Sequence, residues 1–153
     1  MRTKDIVQAV LNRTANIANG DFVIYTRDNV EGELGLRFDI TMLTTGAITG
    51  TVQWFLQDSC DGGNTWDDVI AANTFAFGAA LTSQRFSVAL SIAPVILPAG
   101  TPVVQGGAVS NLALAAGGVR TGPLGSKIRI VERITLIAGS PVAPQYRIGL
   151  TAK

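Results

Sequence analysis

Apolar and polar residues alternate along much of this chain, which is the pattern of a β-strand with one buried face. The clearest run sets Leu34, Leu36, Phe38, Ile40 and Met42 against Gly35, Arg37, Asp39 and Thr41. The same alternation recurs at 51–57, 85–90, 127–137 and 145–151, and a first strand is expected at 22–25. In the run 127–137, Glu132 interrupts the apolar face, which predicts a bulge or an intersubunit contact near it.

Turn-forming residues separate these runs, at 44–46, 61–63, 122–125 and 139–141. Several short strands with such punctuation predict an all-β fold, an antiparallel β-sandwich or jelly roll. The body of this domain is predicted to span residues 21–153.

Two segments do not follow the strand pattern. Residues 1–20 are predicted to be an N-terminal arm, in which Asp5 to Asn16 forms either a helix capped by Asp5 or an extended chain. Residues 91–118 form a long apolar loop, punctuated by Pro94, Pro98 and Pro102, and no strand pair is expected over 91–125. Because an exposed apolar loop would favour aggregation, we expect neighbouring subunits to order both segments.

The connection at 59–66 carries the most specific local pattern. Ser59, Asp61, Gly63, Thr65 and Trp66 match the Asp-box turn, Ser-x-Asp-x-Gly-x-Thr-Trp. Ser59 and Asp61 are expected to accept hydrogen bonds from nearby backbone N–H groups, and Trp66 to fold back over the turn. One copy of this turn predicts a structural hairpin rather than an active site.

Composition indicates assembly. Charged residues make up 15% of the 153 residues and hydrophobic residues 47%, with a mean hydropathy of +0.33. No segment approaches the ~18 consecutive apolar residues of a membrane span. We therefore expect part of the protein's apolar surface to be buried against other subunits in a homo-oligomer. Arg129, Arg133 and Arg147 are expected to face solvent or an interface.

The charge balance argues against direct nucleic-acid binding, since 12 basic and 11 acidic residues are spread along the chain. The N-terminal residues 1–5 lead into no apolar signal-peptide core. No membrane association is predicted.

The chain lacks the residue types of common catalytic sites. It has no histidine, and Cys60 is its one cysteine, which excludes an internal disulfide and a thiol–imidazole pair. Asp67 and Asp68, being adjacent on a strand, point to opposite faces and do not suit a carboxylate pair. We therefore predict no enzyme activity, no catalytic residue and no cofactor.

A cluster of oxygen-bearing side chains raises the possibility of a calcium site: Asp58, Asp61, Asn64, Asp67 and Asp68. The spacing lacks the glycine and the terminal glutamate of an EF-hand, and the turn itself explains Asp61. No metal ligand is predicted.

The order of these elements resembles a set of small bacteriophage virion proteins. The resemblance runs through the strand at 36–41, the Thr45-Gly46 turn, the strand at 52–57, the turn ending at 66–68, and the closing strands at 128–130 and 146–153. It covers roughly residues 20–90 and 119–153, and the loop at 91–118 departs from it. It implies a β-sandwich component of a phage particle, associated with the capsid or the tail.

From this resemblance and the composition, we expect a structural virion protein, a capsid decoration or cement subunit that bridges capsomers. Its partners would be the major capsid protein and copies of itself, and its location the virion, assembled in the host cytoplasm. One alternative is a tail or baseplate component. Another is a carbohydrate- or receptor-binding module in which Trp54 and Trp66 stack on a sugar, although the sialidases that share this turn carry several copies of it.

Overall fold

The computed structural model describes residues 4–12, 19–44, 48–76, 83–90, 103–139 and 145–152. Within these ranges the chain forms strands and no helix. The strands are β1 (Lys4–Asn12), β2 (Gly20–Asp28), β3 (Gly35–Thr44), β4 (Ile48–Ser59), β5 (Thr65–Ala71), β6 (Phe75–Ala76), β7 (Ser83–Ala89), β8 (Val103–Gln105), β9 (Ala108–Leu112), β10 (Lys127–Gly139) and β11 (Gln145–Ala152).

The described strands belong to two sheets. The smaller sheet has the order β1-β11-β3-β7, and the larger has the order β2-β10-β4-β5-β9-β8 with β6 on β4. Among these pairs β5 and β9 run parallel and the others antiparallel. The prediction of an all-β fold built from antiparallel sheets is confirmed at this level.

One buried apolar cluster takes side chains from both sheets. The positions that alternate in sequence are the ones that enter it, because successive residues of a strand point to opposite faces. The cluster includes Leu36, Phe38, Ile40 and Met42 of β3, Tyr146, Ile148 and Leu150 of β11, Val52, Trp54 and Leu56 of β4, and Ile128, Ile130 and Ile134 of β10.

Glu132 lies inside this cluster. β10 pairs with β4 in unbroken register from Lys127 to Leu136, so Glu132 follows the inward face of its strand and is fully buried. Trp54 Nε1 donates a hydrogen bond to Glu132 Oε2 over 3.2 Å, and the Tyr146 hydroxyl donates to the same oxygen. Of the predicted bulge or intersubunit contact, the structure shows a register shift nearby in the β10–β2 pair, between Ile130 and Val131, where the extra residue belongs to β2 and not to the strand of Glu132.

The N-terminal segment is extended where it is described. β1 pairs antiparallel with β11 of the same chain. The helix alternative is therefore wrong for these residues, in agreement with the β preference of branched side chains such as Ile6, Val7 and Val10. Residues 1–3 and 13–18 of the predicted arm lie outside the described ranges.

The prediction that 91–125 holds no strand pair is also wrong. β8 and β9 form an antiparallel pair whose two-residue turn consists of Gly106 and Gly107, with φ of 58° and 80°. Both values lie in the left-handed region that a tight hairpin turn requires and that glycine adopts readily. The proline-rich residues 91–102 at the start of the predicted loop lie outside the described part of the chain.

Candidate functional site

The turn between β4 and β5 is held by two side chains. Ser59 Oγ accepts a hydrogen bond from Gly63 N over 2.9 Å and donates to Asp61 Oδ1 over 2.8 Å. The Asp61 carboxylate also accepts from Asn64 N at 3.0 Å, from Thr65 N at 2.9 Å and from Thr65 Oγ1 at 2.7 Å. These bonds satisfy backbone N–H groups that the turn leaves outside the strand ladder.

The donors of these hydrogen bonds also favour the ionised form of Asp61. The Thr65 backbone N–H, followed by the hydroxyls of Thr65 and Ser59, holds the Asp61 pKa well below its ordinary value. Hydrogen bonds to the ionised form have this effect because protonation would remove an acceptor. Asp61 is therefore a turn-forming carboxylate whose oxygens are already occupied by donors of its own hairpin.

Trp66 closes the turn from one side. Its side chain is buried, and its Nε1 donates to Gly63 O over 3.0 Å. The structure thus brings the predicted turn residues together in one hairpin: Ser59, Asp61, Gly63, Thr65 and Trp66.

Neither tryptophan offers an open face to a sugar. Trp66 is 5% exposed and Trp54 is fully buried, with its ring edge-to-face against Phe75 and Tyr146. Stacking on a sugar requires an accessible ring, so the residues proposed for carbohydrate binding are occupied by packing.

A second polar group, not recognised from the sequence, lies on the face of the larger sheet that points away from the main core. Arg129 Nε donates to Gln57 Oε1 over 2.7 Å, and Gln57 Nε2 donates to Asp68 Oδ1 over 2.7 Å. Gln57 Nε2 also contacts Gln105 Oε1, and an Arg129 terminal nitrogen donates to Gln105 O over 2.7 Å. Gln57, Asp68, Gln105 and Arg129, all buried, are called the cover network below.

The cover network attaches the segment 103–114 to the sheet. Leu114 N donates to Asp68 Oδ2 over 2.9 Å, and the Leu114 side chain packs on a small apolar cluster of Phe55, Ala71 and Val131. The burial of Leu114 is therefore explained by contact with its own sheet, whereas Val104 of the same segment is 64% exposed. No neighbouring subunit is needed for that contact.

Burial changes the electrostatics of the cover network. It raises the pKa of Asp68 and lowers that of Arg129 to about 10, because each charged form has lost water. The expectation that Arg129 faces solvent or an interface is thus wrong, since its side chain is buried and donates to the backbone oxygen of Gln105 in β8. The strand register would have indicated this network, because it sets Gln57 opposite both Arg129 and Asp68.

A third polar contact anchors the segment 119–126. Arg120 donates to Asp58 Oδ2 over 2.6 Å in a buried ion pair, and Gly125 N donates to the same oxygen over 2.8 Å. Asp67, opposite Asp58 in the β4–β5 register, has a raised pKa, chiefly from burial and then from the Asp58 charge.

The oxygen-rich cluster considered for calcium is divided among these separate tasks. Asp61 holds the turn, Asp58 holds the 119–126 segment and Asp68 holds the cover segment. Across the described residues, no group of three or more His, Cys, Asp or Glu side chains is placed to hold a metal ion.

Cys60 is exposed at the start of the turn. Partial burial and the charge of Asp58 raise the pKa of its thiol. Since the thiolate is the nucleophile, a raised pKa makes this thiol less reactive.

Comparison with known proteins gives no relative. No protein-family model matches the chain, and no curated protein and no solved structure matches it significantly. Among the described residues there is no helix of the length and hydropathy needed to cross a membrane.

Proposed function

We propose that this chain is a structural subunit of a bacteriophage particle, a decoration or cement protein of the head, with no catalytic role. The observation that best supports this proposal is that its clustered carboxylates are hydrogen-bonded within the fold. Asp58, Asp61 and Asp68 each accept hydrogen bonds from backbone N–H groups of turns and loops. Polar groups committed in this way stabilise a scaffold and are not left to receive a substrate.

The proposal includes a β-sandwich of the jelly-roll kind. Its support is the single apolar cluster to which both described sheets contribute, since two sheets that share a core in this way pack face to face. Such a body presents two broad outer faces and several strand edges, which suits a protein whose work is contact.

The surface supports an assembly role. Large apolar side chains that are exposed include Val23, Leu34, Val104 and Val119. With charged residues at 15% of the chain, the surface carries fewer charges than is usual for soluble domains, at roughly 25%. We assign these contacts to the major capsid protein and to further copies of this chain.

Immunogold labelling of intact particles, with an antibody raised against the purified chain, tests the location. Label on the head supports the decoration role, and label on the tail or baseplate supports the alternative structural role. Particles of the encoding phage that carry no label, and no peptide of this chain by mass spectrometry, would overturn the proposal.

A second experiment distinguishes a cement role, in which the bound protein stabilises the head, from binding that does not stabilise it. Heads that lack the chain are heated or shocked osmotically with and without added purified protein. A cement subunit raises the temperature at which the heads release DNA, because each bound copy bridges neighbouring capsomers and many weak contacts act together. Binding without any such gain would argue against the cement role.

A further inference from the structure

Two carboxylates face each other at the end of the β4–β5 strand pair. Asp58 of β4 lies directly opposite Asp67 of β5 in register, so the two side chains lie on one face of the sheet. Like charges at directly opposite positions destabilise a strand pair. The Asp58 side chain is 2% exposed, and Asp67 Oδ1 is buried. Two negative charges here would therefore lie close together with little water to screen them.

Arg120 reaches this pair and is committed to Asp58. Its terminal nitrogen lies 2.6 Å from Asp58 Oδ2, and Gly125 N donates to the same oxygen over 2.8 Å. Arg120 Nε and Asp67 Oδ1 are both buried, and neither has a hydrogen-bond partner among the described residues. Two ionised carboxylates against one guanidinium would leave this group with a net charge of −1. A single proton on Asp67 makes the group neutral, which is the state that burial favours.

The charges nearest to Asp67 favour the same state. Burial is the main cause of its raised pKa, the charge of Asp58 is the next cause that raises it, and the charge of Asp61 in the adjoining turn adds to both. The Arg120 charge and a hydrogen bond from the Leu112 backbone N–H lower the pKa of Asp67 but do not cancel the rise.

The other titratable groups of the neighbouring elements supply no cation to Asp67. Cys60 of the turn has a raised pKa, from burial first, and so stays a neutral thiol. Asp68, the next residue of β5, points to the opposite face of the sheet. Lys127 of β10 lies 3.5 Å from Asp28. Among the described residues, Asp67 forms no ion pair of its own.

The same pair of carboxylates holds two segments of the chain. The end of β9 is attached through the hydrogen bond from Leu112 N to Asp67. The segment 119–126 is attached through Arg120 and Gly125 to Asp58, and Arg120 N also donates to Val69 O over 2.8 Å. The two carboxylates can gain water only if the segment 119–126 withdraws from them.

We propose that Asp58, Asp67 and Arg120 form a proton-dependent latch on the segment 119–126. While Asp67 holds a proton, the group is neutral and the segment stays closed over it. When the proton is lost, two opposed negative charges share one arginine, and both are better hydrated in the open state. The latch is therefore closed in acid and loosens as the pH rises, because a carboxyl with a raised folded pKa stabilises the closed state at low pH.

Hydrogen exchange over a series of pH values tests the latch on the purified full-length protein. The reporters are the amides of Arg120 and Gly125, which donate to Val69 O and Asp58 Oδ2 in the closed state. Their protection, corrected for the intrinsic effect of pH on exchange, should fall about tenfold per pH unit between 3.8 and the folded pKa of Asp67. Opening has this dependence because it returns Asp67 to its ordinary pKa. Carbon-13 NMR of the Asp67 carboxyl group measures the folded pKa directly.

Asp67→Asn tests the proton itself, because the amide has the same shape as the carboxyl group and does not ionise. The protection of the two reporter amides should then stay level across the pH series. Asp28→Asn is the matched control, since it makes the same chemical change at a carboxylate that is 59% exposed. It should leave the wild-type pH dependence in place.

The proposal is overturned if the Asp67 carboxyl group titrates at or below pH 3.8, its ordinary value. It is equally overturned if the protection of the reporter amides is level in the wild type, or if Asp67→Asn keeps the wild-type dependence. The first two measurements use the wild-type chain and so remain decisive if the variant does not fold. The latch goes beyond the proposed virion role and is a property of the isolated chain, so the labelling of particles is unaffected by its outcome.

Discussion

Arg129 lies over the indole ring of Trp66, with the guanidinium carbon 4.3 Å from the ring centroid. This contact joins the turn between β4 and β5 to the cover network, because the same guanidinium donates to Gln57 and to Gln105. A cation above a ring within about 6 Å gains from the ring quadrupole, and gains more where water is excluded. Turn and cover segment are thus expected to be stabilised together.

Trp66→Ala should lower the free energy of unfolding by about 3–5 kcal/mol, because the ring is buried and its removal leaves a cavity. Chemical denaturation monitored by circular dichroism measures the change. Trp66→Phe serves as the comparison, since it keeps an aromatic ring but loses the hydrogen bond to Gly63 O, and its loss should be smaller. An unchanged melting temperature in the alanine variant would mean that the ring is exposed in solution.

Asp61 should give the turn a dependence on pH. Its folded-state pKa is depressed by donors from Thr65 and Ser59, so its contribution to stability is present above the ordinary aspartate pKa of 3.8. That contribution is lost as the pH falls from there towards the folded pKa. The difference in unfolding free energy between the wild type and Asp61→Asn should therefore be constant at neutral pH and shrink below about pH 4.

Measuring the difference between these two proteins matters because other carboxylates act in the opposite direction. Burial raises the pKa of Asp67 and of Asp68, so their contributions are present at low pH and are lost as the pH rises through their folded pKa values. Both groups remain in the Asp61→Asn variant, so the Asp68 contribution cancels in the comparison, and for Asp67 only the minor part of the shift that comes from the Asp61 charge does not. A difference that stays constant down to pH 2 would contradict the role assigned to Asp61.

Removing Arg129 should release the cover segment. Arg129→Met leaves Gln57 Oε1 and Gln105 O without this donor, and a cost of about 1–3 kcal/mol is expected for each buried acceptor left unsatisfied. Hydrogen exchange of the free protein should show the amides of 103–112 protected in the wild type and faster in the variant. Arg147→Met, at an exposed position, is the control and should change stability by no more than about 0.5 kcal/mol.

If 103–112 exchanges as fast in the wild type as an unstructured chain, the segment does not belong to its own sheet in solution. That result would again favour the expectation from sequence that a neighbouring subunit orders this loop. Protection in the isolated chain instead shows that the backbone of 103–112 is ordered by the domain itself.

The strands and their buried faces could be predicted because alternation is a local property. Phe38, Ile40 and Met42 are buried as their spacing requires, and so are Ile128 and Ile130. The turn at 59–66 was also predictable, since each of its hydrogen bonds joins residues at most four positions apart. Both kinds of signal lie within a short window of sequence.

The cover network could not be predicted in the same way because its members are far apart in sequence. Arg129 meets Gln57 across 72 positions and Gln105 across 24, and neither contact leaves a periodic trace. Alternation placed Arg129 on the face away from the main core, which was correct. Alternation could not show that β8 and the residues after β9 cover that face.

Tyr146→Phe should lower the free energy of unfolding, because it removes a hydrogen-bond donor to the buried Glu132 side chain. The Tyr146 hydroxyl and Trp54 Nε1 both donate to Glu132 Oε2 within the core. Removing one donor to a buried charged or polar group costs about 1–3 kcal/mol, while the ring itself continues to fill its place. Urea denaturation measures the loss. Equal stability of the wild type and Tyr146→Phe would contradict a stabilising role for this hydroxyl.

Gly125→Ala should be among the most damaging single changes in the β4–β5 region. A Cβ at this position would overlap the backbone oxygen of Ser59, and a backbone atom cannot rotate away as a side chain does. The 119–126 segment would have to withdraw from the turn, taking Gly125 N from Asp58 Oδ2 and loosening the Arg120 ion pair. We expect a loss of about 3 kcal/mol or more in unfolding free energy, measured by chemical denaturation. Gly32→Ala is the matched control, because a Cβ there meets no atom within 4 Å, and its stability should stay within about 0.5 kcal/mol of the wild type. Similar stabilities for the two alanine variants would show that the segment does not approach Ser59 as closely as the fold described here requires.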